Sequence, residues 1–152
     1  MVEGKKASKR VDIVHVQLVK ETSLLYSNRK VRSPQNGAEL FREFLGEVDR
    51  EHFLVMCLNT KNEPTHLNTV HIGSLNASIV HPREVIKPAI LSNAASIMVC
   101  HNHPSDNVEP SSEDIEVTKR LQEVGEIVGI ELLNHIILGE DSYLSFRERG
   151  YM

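Results

Sequence analysis

The sequence predicts an α/β fold in which a mixed β-sheet is sandwiched by helices. Three observations carry that expectation. Short apolar runs of strand length, His52–Leu58 (HFLVMCL), Ser96–Cys100 (SIMVC) and Glu131–Leu138 (ELLNHIIL), read as buried strands. Stretches with helical apolar spacing lie between them. Only two or three helices accompany strands that include a hairpin, which favours a sandwich over a doubly wound parallel sheet.

Taken in order, residues 1–10 hold the one basic cluster, Lys5, Lys6, Lys9 and Arg10, and read as a disordered, solvated tail. Residues 11–152 read as one domain, with no internal repeat, low-complexity tract or linker. Val11–Val19 (VDIVHVQLV) alternates as a strand does. A turn-rich piece around Ser27-Asn28 leads to Ser33-Pro34, a helix start with Ser as cap and Pro in the first turn. Phe41, Phe44, Leu45 and Val48 then form an amphipathic stripe. Glu51 prefixes the His52–Leu58 strand. Asn59–Pro64 is a polar turn, and Thr65–Ile72 suits the second strand of a hairpin. Pro82–Leu91 returns to helical spacing, with Val85, Ile86, Ala89 and Ile90 on one side. Ser96–Cys100 runs straight into His101, and the loop from Asn102 to Pro110 has no apolar periodicity. Helix resumes at Ser111 or Ser112, with Ile115, Leu121, Val124 and Val128 facing inward, before the final long strand Glu131–Leu138.

A chain of 152 residues is long enough for a single sizeable core, and 40% hydrophobic with 25% charged residues is an ordinary globular balance. The net charge of −4 argues against a dedicated duplex-DNA binder. Cys57 and Cys100 sit singly in apolar runs and make no CxxC pair, so they read as buried, reduced thiols. No stretch has the length of a membrane span and no signal peptide precedes Val11, so the expected location is the cytoplasm.

The chemistry concentrates at one place. His101 and His103 stand two apart at the end of an apolar strand, and residues i and i+2 of an extended backbone point to the same face. Asp114 follows in the first turn of the next helix, where a carboxylate is favoured by the helix dipole. Two neutral imidazoles and a carboxylate fill three corners of a zinc tetrahedron, and leaving the fourth to water is the catalytic arrangement. Each piece alone has a structural reading, since Ser111-Ser112-Glu113-Asp114 is also a capping box with Ser111 as cap.

The full spacing, His101-Asn102-His103, seven residues, Ser111, two residues, Asp114, resembles the JAMM signature of JAB/MPN metalloproteases. HNHPS at 101–105, PSSED at 110–114, HPRE at 81–84, GSLN at 73–76 and NAA at 93–95 narrow the likeness to the RadC family. The likeness runs from about Val11 to the C-terminus, in the short form that lacks an N-terminal helix-hairpin-helix module. It implies a JAB/MPN fold, with a layout like that of cytidine deaminases. It also implies that His101, His103 and Asp114 hold one zinc ion per chain, that Glu51 is the general base, and that Ser111 stabilises the oxyanion. Two positions depart from the family pattern: Asp106 stands where Gly is usual, and Asn134-His135 where Asp-His is usual.

The expected function is zinc-dependent amide hydrolysis of metallopeptidase or isopeptidase type, on a peptide- or isopeptide-like substrate the sequence does not name. The alternative is a DNA-associated protein of repair or mobile elements, acting as a nuclease or a non-catalytic binding module. The string His-Asn-His is not an HNH nuclease motif, whose letters are widely separated. A zinc deaminase would need H-x-E and a PCxxC pair, and neither is present.

Overall fold

A computed structural model describes residues 4, 6–74 and 80–152; Lys5 of the basic cluster and Leu75-Asn76 of GSLN lie outside the described residues. Its elements are α1 (Pro34–Leu45), β1 (His52–Leu58), β2 (Pro64–Ile72), α2 (Pro82–Leu91), β3 (Ser96–Asn102), α3 (Ser112–Val128), β4 (Glu131–Leu138) and β5 (Tyr143–Ser145). The sheet order is β2-β1-β3-β4-β5. β1 pairs antiparallel with both β2 and β3, β3 pairs parallel with β4 through the α3 crossover, and β5 returns antiparallel on β4. The expected mixed sheet between helices is what forms.

Because side chains alternate along a strand, the central strands feed two cores. Phe53, Val55 and Cys57 of β1 and Ile97 and Val99 of β3 pack with Val85, Ile86 and Ala89 of α2 and Val117 and Leu121 of α3. On the other face Leu54, Met56, Leu58, Met98 and Cys100 pack with Leu40 and Phe41 of α1. Each large side chain buried this way contributes about 1.5–3 kcal/mol. Both cysteines are free and fully buried, as expected of small apolar core residues.

A break in register positions the functional strand. Ile97 pairs with Leu132 but Met98 pairs with Asn134, so Leu133 is an extra residue in β4. The bulge reverses the facing of everything after it. Leu132 belongs to the core under α2 and α3, and His135 rather than Asn134 then lies on that same face beside Phe53. Without the bulge, strict alternation from Leu132 would turn His135 toward α1.

Four expectations need correction. Val11–Val19 pairs with no strand among the described residues and is exposed along its length, Ile13 fully so. Alternation meets the side-chain requirement of a strand but supplies no neighbour for its backbone; further on, Tyr26 packs against the α1-side core and the Val31 N–H donates to Asn62 O (2.8 Å). Helix α1 stops at Leu45, because Gly46 takes φ 64° and donates its N–H back to Arg42 O, so Val48 is not part of the stripe. The inner stripe of α3 is Asp114, Val117, Thr118, Leu121 and Gly125, while Val128 and, on α2, Ile90 are exposed. Finally, Glu131–Leu138 is not the last strand, since the three-residue β5 follows it. Among the described residues no helix is long and apolar enough to cross a membrane.

Candidate metal centre

Strand β3 delivers the first two groups. Ile97 and Val99 face the core under α3, and His101 continues that alternation to the end of the sheet. Beyond β3 the His103 N–H still donates to Leu138 O (2.9 Å), prolonging the β3–β4 pairing and keeping His103 on the same side as His101. Helix α3 delivers the third group from above. The Ser111 hydroxyl accepts from the Asp114 N–H (3.1 Å), and the Asp114 carboxylate accepts from the Ser111 N–H (2.9 Å). This capping box fixes Asp114 at the third helical position, aimed at the strand end.

The three side chains meet. His101 Nε2 lies 3.0 Å from His103 Nε2 and 3.2 Å from Asp114 Oδ1, and His103 Nε2 lies 3.3 Å from Asp114 Oδ2. A tetrahedral ion with bonds of about 2.0–2.1 Å requires ligand atoms about 3.3 Å apart. The donor set and its spacing therefore fit a single small divalent ion, and these three residues could hold one. His103 Nδ1 lies 2.6 Å from Asn107 O, which takes its N–H and leaves Nε2 as the atom that could bind an ion.

The charges agree with that arrangement. Burial by itself would raise the Asp114 carboxyl, but the facing imidazoles of His101 and His103 and the hydrogen bond from the Ser111 N–H hold it well below the usual carboxylate range. The bond to Asp114 raises His103 above an ordinary imidazole against the opposing pull of burial, helped by Asn107 O and the charge of Glu51. Burial, with the neighbouring His101, pushes His135 well below it.

Glu51 directly precedes β1, half-buried, with its carbonyl accepting from Gly73 N–H (2.8 Å). Its charge acts on His103, yet it is not among the three clustered residues that could hold an ion. The carboxamide of Asn102 brackets it: Nδ2 donates to Arg50 O (3.0 Å) and Oδ1 accepts from the His52 N–H (2.7 Å). Ser111, not Ser112, is the cap of α3. Capping uses a lone pair of the Ser111 hydroxyl, so its hydrogen is still available to donate.

A cleft of about 620 Å³ opens beside His103, lined among others by Arg42, Glu47, Asn102, Asp106, Glu140 and Asp141. Arg42 braces its wall, donating to Gly139 O (2.7 Å), Glu140 O (2.7 Å) and Ser142 O (3.1 Å). Asp106 sits at φ 68°, a conformation that Gly adopts freely and that Asp tolerates. It adds something Gly would not, because its Oδ1 accepts from the Glu140 N–H (2.6 Å) and ties the HNHPS loop to the β4–β5 turn. The second departure, Asn134, orients no imidazole. Its Oδ1 accepts from the backbone N–H groups of His135 and Arg147, and its Nδ2 donates to Ser145 Oγ (2.7 Å).

Sequence reasoning thus found the three clustered residues and the cap, and it missed Asn102, Thr118 and His135. A buried polar residue inside an otherwise apolar stripe, as Thr118 is in α3, was the available signal for one of them.

An α/β sandwich with a His-x-His strand end facing an Asp in the first turn of the crossover helix belongs to the class of domains built around one potential metal centre. Comparison with known proteins narrows this: the RadC-like JAB domain family matches residues 31–151, and the chain belongs to that family. It is 49% identical over 154 residues to a UPF0758 protein of Geobacillus sp. (strain WCH70), covering 99% of this chain and 68% of the relative. It is 54% identical over 128 residues to a UPF0758 protein of Geobacillus thermodenitrificans (strain NG80-2), covering 84% of this chain and 57% of that one. With UPF0758 protein YsxA of Bacillus subtilis (strain 168) it shares 52% identity over 122 residues, 80% of this chain and 53% of YsxA. The chain therefore spans between about half and two thirds of the length of these relatives.

Proposed function

We propose that this domain is a zinc-dependent hydrolase that cleaves amide bonds, of metallopeptidase or isopeptidase type, in a peptide- or isopeptide-like substrate. The observation that carries the reading is the convergence of His101, His103 and Asp114: the two Nε2 atoms lie 3.0 Å apart, and each faces one oxygen of the Asp114 carboxylate, at 3.2 and 3.3 Å. When bound, zinc supplies Lewis-acid polarisation of a scissile carbonyl and lowers the pKa of water to about 7. Glu51 takes the proton from the attacking water and hands it to the leaving amine. Ser111 donates its free hydroxyl hydrogen to the carbonyl oxygen as that oxygen acquires charge. The two residues come from different elements, Glu51 from just before β1 and Ser111 from the cap of α3.

The cleft lining favours an amide over a nucleic-acid substrate. Of the clustered residues His103 borders this cleft, where Glu47, Asp106, Glu140 and Asp141 stand against Arg42, itself already spent on three carbonyls. An acidic lining repels a phosphate backbone and suits neutral or basic peptide.

The test is a screen of peptide and isopeptide substrates with zinc-loaded protein beside its Glu51→Gln variant. The expected result is hydrolysis by the wild type and a loss of about 10²-fold or more in a variant that keeps its zinc. Equal turnover by both proteins, or cleavage of DNA in place of amides, would overturn the reading.

A further inference from the structure

Behind His101 runs a line of buried polar side chains. His101 Nδ1 lies 2.7 Å from His135 Nε2, His135 Nδ1 lies 2.6 Å from Thr118 Oγ1, and Thr118 Oγ1 donates to Asp114 O at 2.9 Å. All three residues are at most 1% exposed. Hydrogens in such a line can be counted. A threonine hydroxyl has one, and within a helix it is given to the carbonyl four residues back, here that of Asp114. Toward His135, Thr118 can then only accept, which places the single proton of a neutral His135 on Nδ1. His135 Nε2 is left with a lone pair, and the 2.7 Å contact requires His101 to donate from Nδ1. His101 Nε2 emerges unprotonated, and it is the atom that faces His103 and Asp114.

We propose that Thr118 and His135 are positioning residues that fix His101 as its Nδ1–H tautomer and so present a lone pair to the metal. The inference rests on the metal-centre reading given above. It also explains two features of the fold. The Leu133 bulge is what puts His135 on the face where His101 lies. His135 is stacked on Phe146 (centroids 4.4 Å apart, planes 15° apart), and Phe53 stacks on His101 (6.1 Å, 11°) while meeting His135 edge-on (5.7 Å, 73°). Aromatic walls on both rings oppose the ring flips that would exchange their nitrogens. Helix α3 therefore serves the centre twice, through Asp114 directly and through Thr118 one turn later. The same line with every hydrogen reversed would put a proton on His101 Nε2, where the metal must bind. The Thr118 bond to Asp114 O is what selects against it.

Two measurements decide the matter. Long-range proton–nitrogen correlation spectra of the metal-free wild-type protein, recorded at about pH 8 where model imidazoles are neutral, report the tautomers directly. His101 and His135 are both expected as Nδ1–H, and an Nε2–H His101 overturns the inference. Zinc affinity is then measured by competition with a chromogenic chelator for wild type, Thr118→Val and Thr118→Ser, with thermal melts to establish that each is folded. Thr118→Val is expected to lose about 10- to 100-fold in affinity and Thr118→Ser to recover it. Wild-type affinity in folded Thr118→Val overturns the inference. A wild-type protein that takes up no zinc would sink the metal reading instead, while the spectra still decide the tautomers.

Discussion

The carboxamide of Asn102 brackets Glu51: it pairs with Arg50 O on one side of Glu51 and with the His52 N–H on the other. A side chain thus supplies the cross-strand hydrogen bonds just past the Phe53–His101 pair, where the β1–β3 ladder ends. The distance between the strand that carries Glu51 and the strand that carries His101 and His103 is set there. Gly73 N–H secures the Glu51 carbonyl from the β2 side, so the residue is held from both neighbouring strands.

Replacing Asn102 by Ala should therefore separate positioning from metal binding. Zinc content stays at the wild-type level, while turnover falls by about 10²-fold, the cost of misplacing a reacting group by about 1 Å. Metal analysis and steady-state kinetics on one preparation check it. Loss of zinc together with activity would show that Asn102 supports the ligands instead.

Ser111 offers a second separation. Its oxygen caps α3 by accepting from Asp114 N–H, so Ser111→Ala should cost about 0.5–2 kcal/mol of stability. Ser111→Asp keeps a capping acceptor but has no hydrogen to donate and brings negative charge. It is expected to stay folded, with turnover lower by about 10²–10³-fold. Melting curves and kinetics on both variants check this, and a fully active Ser111→Asp would reduce Ser111 to a helix cap.

The strand end, the His-x-His alternation and the helix start at Ser111 were legible because each is a local pattern. Glu51 was legible only through family resemblance, since a carboxylate at a helix-to-strand junction is otherwise an ordinary surface residue. Asn102 and the Thr118–His135 pair were not legible. Their partners are set by the β1–β3 register, by the bulge at Leu133 and by how α3 docks, none of which has a local signature. β5 is too short to show periodicity, and Val11–Val19 shows periodicity without a neighbour to pair with. The Asp106 departure reads as a disturbance in sequence, but the structure uses its carboxylate to fasten the loop.

The raised His103 fixes a pH dependence for the metal-free protein. Its folded value lies above the unfolded imidazole value of about 6.5, while Asp114 is charged throughout this range. The stability from their pairing is fully present below about pH 6.5 and is lost as pH rises through the folded value. The difference in denaturation midpoint between chelator-treated wild type and His103→Gln should shrink from pH 6 to about pH 9. A difference that grows over that interval would contradict the assigned pairing.

The central claim, that His101, His103 and Asp114 together hold one catalytic zinc ion, is tested most directly by zinc stoichiometry. The measurement is metal content by elemental analysis after equilibration with zinc and removal of excess, for wild type and for His101→Ala, His103→Ala and Asp114→Ala. The account predicts about one zinc per wild-type chain and a large loss in each variant, with His103→Ala still folded by circular dichroism because its ring lies outside the two cores. A wild-type protein without zinc, or folded variants that retain it, would contradict the account.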